Sequence, residues 1–192
     1  DDWIGAMAKR CAGEGLDVYM VTPDKDYGQL IGDHIWQYKP GKSGSENEII
    51  GVREICRKYG IDSPTQVIDM LTICGDTADN VPGVKGIGEV GAGKLVARYG
   101  SGKGIYEHLD ELTPRQKAQF EEARDHIGLS QELVTIKTDI NVDVPTEEMK
   151  VNQSYGPELA DLLEKYEFNS PNHNPGHVSR PKAGTAPVLP TH

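Results

Sequence analysis

Three pairs of aspartates stand at spacings that could build a site for hard cations: Asp1 with Asp2, Asp24 with Asp26, and Asp76 with Asp79. Carboxylates brought within about 4–6 Å drive one another's pKa upward unless a cation neutralises them. Magnesium and manganese do this best, because they prefer carboxylate and water oxygens and take one or two protein carboxylates each. Two such ions about 4 Å apart can activate a water and stabilise the leaving oxygen of a phosphodiester. Each pair also has a plainer explanation. Asp1 and Asp2 begin a helical pattern, where the macrodipole favours acids without any metal. Asp24 and Asp26 directly follow an apolar strand; in extended chain they face the same way, with Lys25 pointing elsewhere, and ligands of α/β sheets gather at such carboxyl ends. Asp76 and Asp79 lie in GDTADN, after the Gly75 that ends a helix, a stretch suited to a tight turn.

The glycine-rich run VPGVKGIGEVGAGKLVARYG over 81–100 carries the second chemical signal. GIGEVG satisfies a dinucleotide fingerprint, but Asn80, Pro82 and Gly83 rule out the strand that must precede it. From Gly88 to Lys94 the spacing imitates a phosphate-binding P-loop, yet Leu95 stands where a Ser or Thr must hold Mg²⁺. A helix-hairpin-helix pattern fits position by position: Gly86, Ile87, Gly88, three variable residues, Ala92, two more, then Leu95 and Val96. Its glycines allow a tight turn and close approach to a ligand, and the amides opening the next helix suit phosphate. Lys85, Lys94, Arg98 and Lys103 against the single Glu89 give this stretch a local positive charge, suited to a sugar–phosphate backbone rather than to base edges. A turn used only for close packing is the competing explanation.

The elements that must position these groups follow from periodicity. Ile4, Met7, Ala8 and Cys11 predict a helix ended by Gly13 and Gly15, and residues 16–22 predict a buried strand running into a loop marked by Pro23 and Gly28. A strand is expected over 34–40, then a polar surface connection at 42–48, then a helix over 52–59. SPTQ at 63–66 reads as Ser cap, Pro at the first helical position and Gln, with Val67, Met70, Leu71 and Cys74 as the buried stripe; TPRQ at 113–116 opens a helix reaching about Ile127. Residues 138–144 alternate like one returning strand, and Leu159, Leu162, Leu163 and Tyr166 mark a last helix. The expected organisation is 1–62 as an α/β layer, 63–137 as a helical subdomain, 138–169 as returning strand and last helix, and 170–192 as linker or disordered tail.

Composition bounds the function. With 192 residues the chain can bury one decent core, and mean hydropathy of −0.53 without a long apolar run excludes a membrane protein and leaves a cytoplasmic one as the expectation. A net charge of −10 argues against coating nucleic acid by bulk attraction, so any polyanion contact must be local. Three cysteines without CxxC spacing (Cys11, Cys56, Cys74) fit neither a disulfide framework nor a zinc finger, and read as small core residues. A helical pattern already running at Asp1 marks the chain as a piece of something longer.

With GDTADNVPGVKGIGE in view, the sequence resembles the 5′ nuclease domains of bacterial DNA polymerase I, in the flap endonuclease superfamily, to about residue 169. DDWIGAMAKR resembles the second half of that family's Glu-Ala-Asp-Asp helix, TPDKDYGQL its second acidic motif, and GDTADN with VPGVKGIG its third motif plus hairpin. The resemblance implies a truncated PIN-like α/β layer followed by a helical SAM-like subdomain with a helix-hairpin-helix. It implies hydrolysis of DNA at 5′ ends, flaps and nicked duplex for primer removal and repair, by two Mg²⁺ or Mn²⁺ ions held on Asp1, Asp2, Asp24, Asp26, Asp76 and Asp79. The phosphate clamp falls on Lys85, Gly86, Ile87, Gly88 and Lys94, with K⁺ at the hairpin; the whole is a monomer tethered to a polymerase. Val90 and Gly91 stand where many relatives carry Lys-Thr, so weaker DNA binding is expected. The family's first strand and earlier metal acids would precede Asp1, so the expectation for this chain alone is poor cleavage or none. The alternative class is a non-catalytic helix-hairpin-helix module whose aspartates are caps and turns.

Overall fold

The computed structural model describes residues 1–41, 46–151 and 157–167. Helix α1 (Asp2–Gly13) leads through Gly15, at φ +82°, into strand β1 (Val18–Val21). Strand β2 (Ile35–Lys39) pairs parallel to β1, Val18 opposite Ile35 and Val21 opposite Tyr38; β3 (Glu48–Ile50) pairs antiparallel to β2, Gln37 opposite Ile50. The sheet order is β1-β2-β3, so β1 is an edge and only its Met20 is buried; Val21, expected inside, is 67% exposed. β3 spans three residues, too few to show a period, and went unforeseen.

Helices follow: α2 (Val52–Tyr59), α3 (Gln66–Cys74), α4 (Glu89–Tyr99), α5 (Gly102–Glu107), α6 (Pro114–Ala123) and α7 (Ile127–Val134). The centre is α3. Val67, Met70, Leu71 and Ile73 are at most 1% exposed, each stabilising the fold by roughly 2 kcal/mol through burial, and they pack against α4, α5, α7 and the turn after β1. Gly93 lets α4 press on the Tyr59 carbonyl at the end of α2, and Asp69 accepts the Gly102 N–H at 2.8 Å, fixing the start of α5. Asp1–Val144 form one compact unit. Pro145–His192 form a second, in which a 3-10 turn at Thr146–Met149 and helix α8 (Pro157–Lys165) are described. Among the described residues no helix is long and apolar enough to cross a membrane.

Four local expectations need correction. The loop expected after Pro23 is a 3-10 turn, Asp26–Leu30, with Tyr27, Gly28, Gln29 and Leu30 buried. At α3, Gln66 reaches back to the N–H groups of Asp62 (2.8 Å) and Ser63 (3.1 Å), but the Ser63 hydroxyl pairs with Thr65 rather than capping the helix, which starts at Gln66. The helix opened by Thr113, whose capping box does form, stops at Ala123. His126 turns onto the Gly83 carbonyl at 2.8 Å, and α7 starts afresh behind it. Finally, 138–144 is not a strand. The carbonyls of Val142 and Val144 each accept from the Arg10 guanidinium at 2.6 Å, so side chains of α1 take the role of a sheet neighbour. The polar connection at 42–45 and the tail at 170–192 lie outside the described residues.

Candidate metal centre and phosphate-facing loop

The carboxyl end of β1 is held by a residue from the next strand. Gln37, 1% exposed, donates its amide to the carbonyls of Thr22 (3.1 Å) and Asp24 (2.5 Å). Asp24 then accepts the Asp26 N–H at 3.0 Å, a local turn that replaces the expected extended pair and starts the 3-10 turn at Asp26. A second buried glutamine anchors that turn. Gln29 donates to the Val134 carbonyl and accepts the Ile136 N–H, both at 2.9 Å, joining it to the end of α7.

Opposite stands the segment after α3. Gly75 (φ +70°) and Gly83 (φ +57°) cross with their backbones in contact, leaving no room for a Cβ on either. The loop between them is closed by two backbone hydrogen bonds, Asp76 N–H to Val81 carbonyl at 3.0 Å and Val81 N–H to Asp76 carbonyl at 2.7 Å. Asp76 also accepts the Ala78 N–H at 2.8 Å, so its carboxylate is fixed within the loop.

These two segments bring Asp26, Asp76 and Asp79 together, each offering an oxygen within 4.8 Å of the others. Asp26 is the strained member: its Oδ1 is buried without a hydrogen-bond partner, and burial, then the neighbouring Asp24 charge, push its pKa up to about 6. Asp76 is held below the usual carboxylate range by the Lys25 ammonium, 2.8 Å away, helped by the Ala78 N–H. Lys25 was expected to point elsewhere; it points into the acids instead. Burial is the largest single influence and works to lower the Lys25 pKa, but the bond to Asp76 and the attraction of Asp76, Cys74 and Asp26 together turn the net shift upward. Cys74, just before the loop, has a half-buried thiol that burial pushes to about 11, so it stays protonated.

The other three aspartates are placed differently. Asp24 adjoins the group but spends Oδ1 on the Asp26 N–H. Asp1 accepts the hydroxyl of buried Tyr27 at 2.7 Å, which links α1 to the 3-10 turn, and Asp2 accepts the Lys137 N–H at 2.9 Å. Neither belongs to the group of three.

From the acidic loop the chain runs through Val84, whose N–H bonds to the Ile73 carbonyl at 2.7 Å, to Gly86 at φ +86° and extended Gly88, which precedes α4. No side chain caps α4, and Gly88, Glu89 and Val90 at its start are exposed. Ile87 is tucked in, while Lys85 and Lys94 are exposed and ion-paired with no acid among the described residues; Arg98 and Lys103 pair with Glu111 and Glu107. A groove of about 410 Å³ lies between Gly86–Gly88, Gly91 and the start of α6, lined there by Thr113, Arg115, Gln116 and Gln119. Gln119 donates to the Lys85 carbonyl at 2.9 Å and abuts Gly86. Nothing local in the sequence signals that α6 braces the glycine loop.

Residues 62–156 match the family described as 5′-3′ exonuclease, C-terminal SAM fold. Over most of its length the chain is similar to bacterial DNA polymerase I. It is 33% identical over 183 residues to the thermostable enzyme of Thermus thermophilus and 35% identical over 183 residues to that of Thermus aquaticus, covering 95% of this chain and 21% of each relative. The chain therefore spans about a fifth of the length of these polymerases. Among solved structures, a bacteriophage T5 flap endonuclease in complex with DNA and metal ions aligns at a TM-score of 0.60 with 20% identity, over 71% of this chain and 50% of the other, so the fold is shared.

Proposed function

We infer that the chain is the metal-binding and DNA-gripping part of a 5′ nuclease that hydrolyses DNA phosphodiesters at 5′ ends and flaps. The convergence of Asp26, Asp76 and Asp79 within 4.8 Å carries the reading, with the glycine loop at Gly86 and Gly88 one short segment away. The donor set fits a hard divalent ion. All three donors are carboxylates, and one buried oxygen of Asp26 lacks any partner. Mg²⁺ or Mn²⁺ bound there supplies Lewis acidity toward water and phosphate. Asp76 and Asp79 offer oxygens from a hydrogen-bonded loop, Asp26 supplies an oxygen that has no hydrogen-bond partner, and Asp24 orients Asp26 through its N–H. Asp1 and Asp2 complete the acidic set proposed for a second ion. DNA polymerase relatives of this chain and the metal- and DNA-bound T5 enzyme support the same substrate class.

On the DNA side, Gly86 and Gly88 with Ile87 form a hairpin that presents backbone amides to a phosphate, and Lys85 and Lys94 supply charge. K⁺ at the hairpin belongs to the same proposal. Because only phosphate is touched, binding is expected to be independent of base sequence. Fluorescence anisotropy with a 5′-flapped duplex, in Ca²⁺ to prevent cutting, tests this. Wild type is expected to bind with a steep salt dependence, and Lys85→Ala with Lys94→Ala to lower the slope of log K against log salt by about 2 and the affinity by roughly tenfold or more. An unchanged slope would remove the hairpin from the interface.

A further inference from the structure

We propose that Lys25 is a tethered counter-ion that occupies the acidic centre until a divalent metal displaces it, and that it thereby sets how tightly the metal binds. This rests on Asp26, Asp76 and Asp79 being the metal ligands. Lys25 Nζ lies 2.8 Å from Asp76 Oδ2, and Asp76 offers an oxygen within 4.8 Å of those of Asp26 and Asp79. An ammonium paired with the Asp76 carboxylate and a cation bound to that carboxylate compete for the same negative charge. The Asp76 side chain is 11% exposed and that of Lys25 33%, so the lysine is the more solvent-accessible partner of the pair.

The tether is short. Lys25 immediately precedes Asp26 at the mouth of the 3-10 turn, so its stem can swing outward while its backbone stays beside the site. Lysine suits this exchange, being a compact charge on a flexible four-carbon stem, where arginine would hold a carboxylate in a bidentate fork. Among the described residues, no other cation is ion-paired with the three acids. One ammonium therefore partly neutralises three carboxylates in the metal-free chain, and an arriving dication repels it and takes Asp76. The exchange lowers metal affinity and gives the empty site a stable resting state.

Titration of wild type and Lys25→Met with Mn²⁺ alone, following free Mn²⁺ by electron paramagnetic resonance at neutral pH, tests the inference. Lys25→Met is expected to bind Mn²⁺ roughly tenfold or more tightly, since both a competitor and a repelling charge are gone. Its metal-free melting temperature is expected to fall, and its rise on adding Mn²⁺ to exceed that of wild type. Lys25→Gln should change both in the same direction and serves if the Met variant does not fold. Saturable wild-type binding with equal or weaker binding by the variants would make Lys25 a fixed structural partner and overturn the inference. No saturable binding by wild type would remove the metal centre itself, and the inference with it.

Discussion

Asp26→Asn is expected to stabilise the metal-free protein by about 1 kcal/mol at pH 8, solvent screening at this half-buried position reducing the effect, and to abolish the stabilisation that Mn²⁺ confers on wild type. The first half follows from burial. The folded-state pKa of Asp26 is pushed to about 6, above the unfolded carboxylate's ordinary 3.8, by desolvation and by Asp24. Between those values the folded chain keeps a proton that the unfolded chain has released. This group's contribution therefore favours folding at low pH, declines as pH rises from about 4 to about 6, and stays unfavourable above. Asparagine removes the charge and keeps the shape. The second half follows because the same oxygen, without a hydrogen-bond partner, is what a cation would coordinate. Urea denaturation with and without Mn²⁺ across this pH range checks both. A variant less stable than wild type at pH 8, or one that keeps its Mn²⁺ response, would show that Asp26 is an ordinary turn residue.

Gly83→Ala is expected to cost about 3–4 kcal/mol and to weaken Mn²⁺ binding sharply, although Gly83 carries no functional group. At φ +57° a Cβ is strained from the outset, and it would press on the backbone nitrogen of Gly75 and the carbonyl carbon of Cys74, neither of which can rotate away. Gly75 faces the reciprocal problem, its Cβ meeting the Val81 carbonyl oxygen at 2.6 Å. Separating the two strands of this crossing breaks the paired hydrogen bonds between Asp76 and Val81, and with them the placement of Asp76 and Asp79. Gly88→Ala is the control. Its φ is −89° and nothing lies within 4 Å, so less than about 1 kcal/mol is expected. Chemical denaturation of the two variants separates them; equal stabilities would mean that the crossing does not hold the site.

What could be seen in the residues alone was whatever is local. The helices over Ile4–Cys11 and Val67–Cys74 and the Thr113–Gln116 cap appear as expected, because each is settled within a few residues of chain, but α1 buries Gly5, Ala6 and Ala8 and leaves Ile4 48% exposed. Asp26, Asp76 and Asp79 were named in advance, but their convergence depends on contacts that leave little local trace. Gln37 reaches from β2 to the Thr22 and Asp24 carbonyls just past the end of β1, Gln29 spans 105 residues to Val134, and Gln119 spans 34 to Lys85. A buried amide inside an apolar strand, as in IWQYK, was the one available hint of the first. The expected strand at 138–144 failed for the converse reason: alternation marks extended chain, and here Arg10 rather than a neighbouring strand satisfies that chain. Lys25 was misplaced because an extended Asp24–Asp26 spacing was assumed where Asp24 folds a turn.

Asp26, Asp76 and Asp79 as ligands of one divalent ion underlie the function assigned to this chain. Anomalous diffraction at the manganese edge from crystals soaked in Mn²⁺ tests that most directly. The expected result is a peak about 2.1–2.3 Å from an oxygen of each of the three carboxylates, with the Lys25 ammonium moved off Asp76. Full Mn²⁺ in the solution with no peak between them, and Lys25 still seated on Asp76, would contradict it.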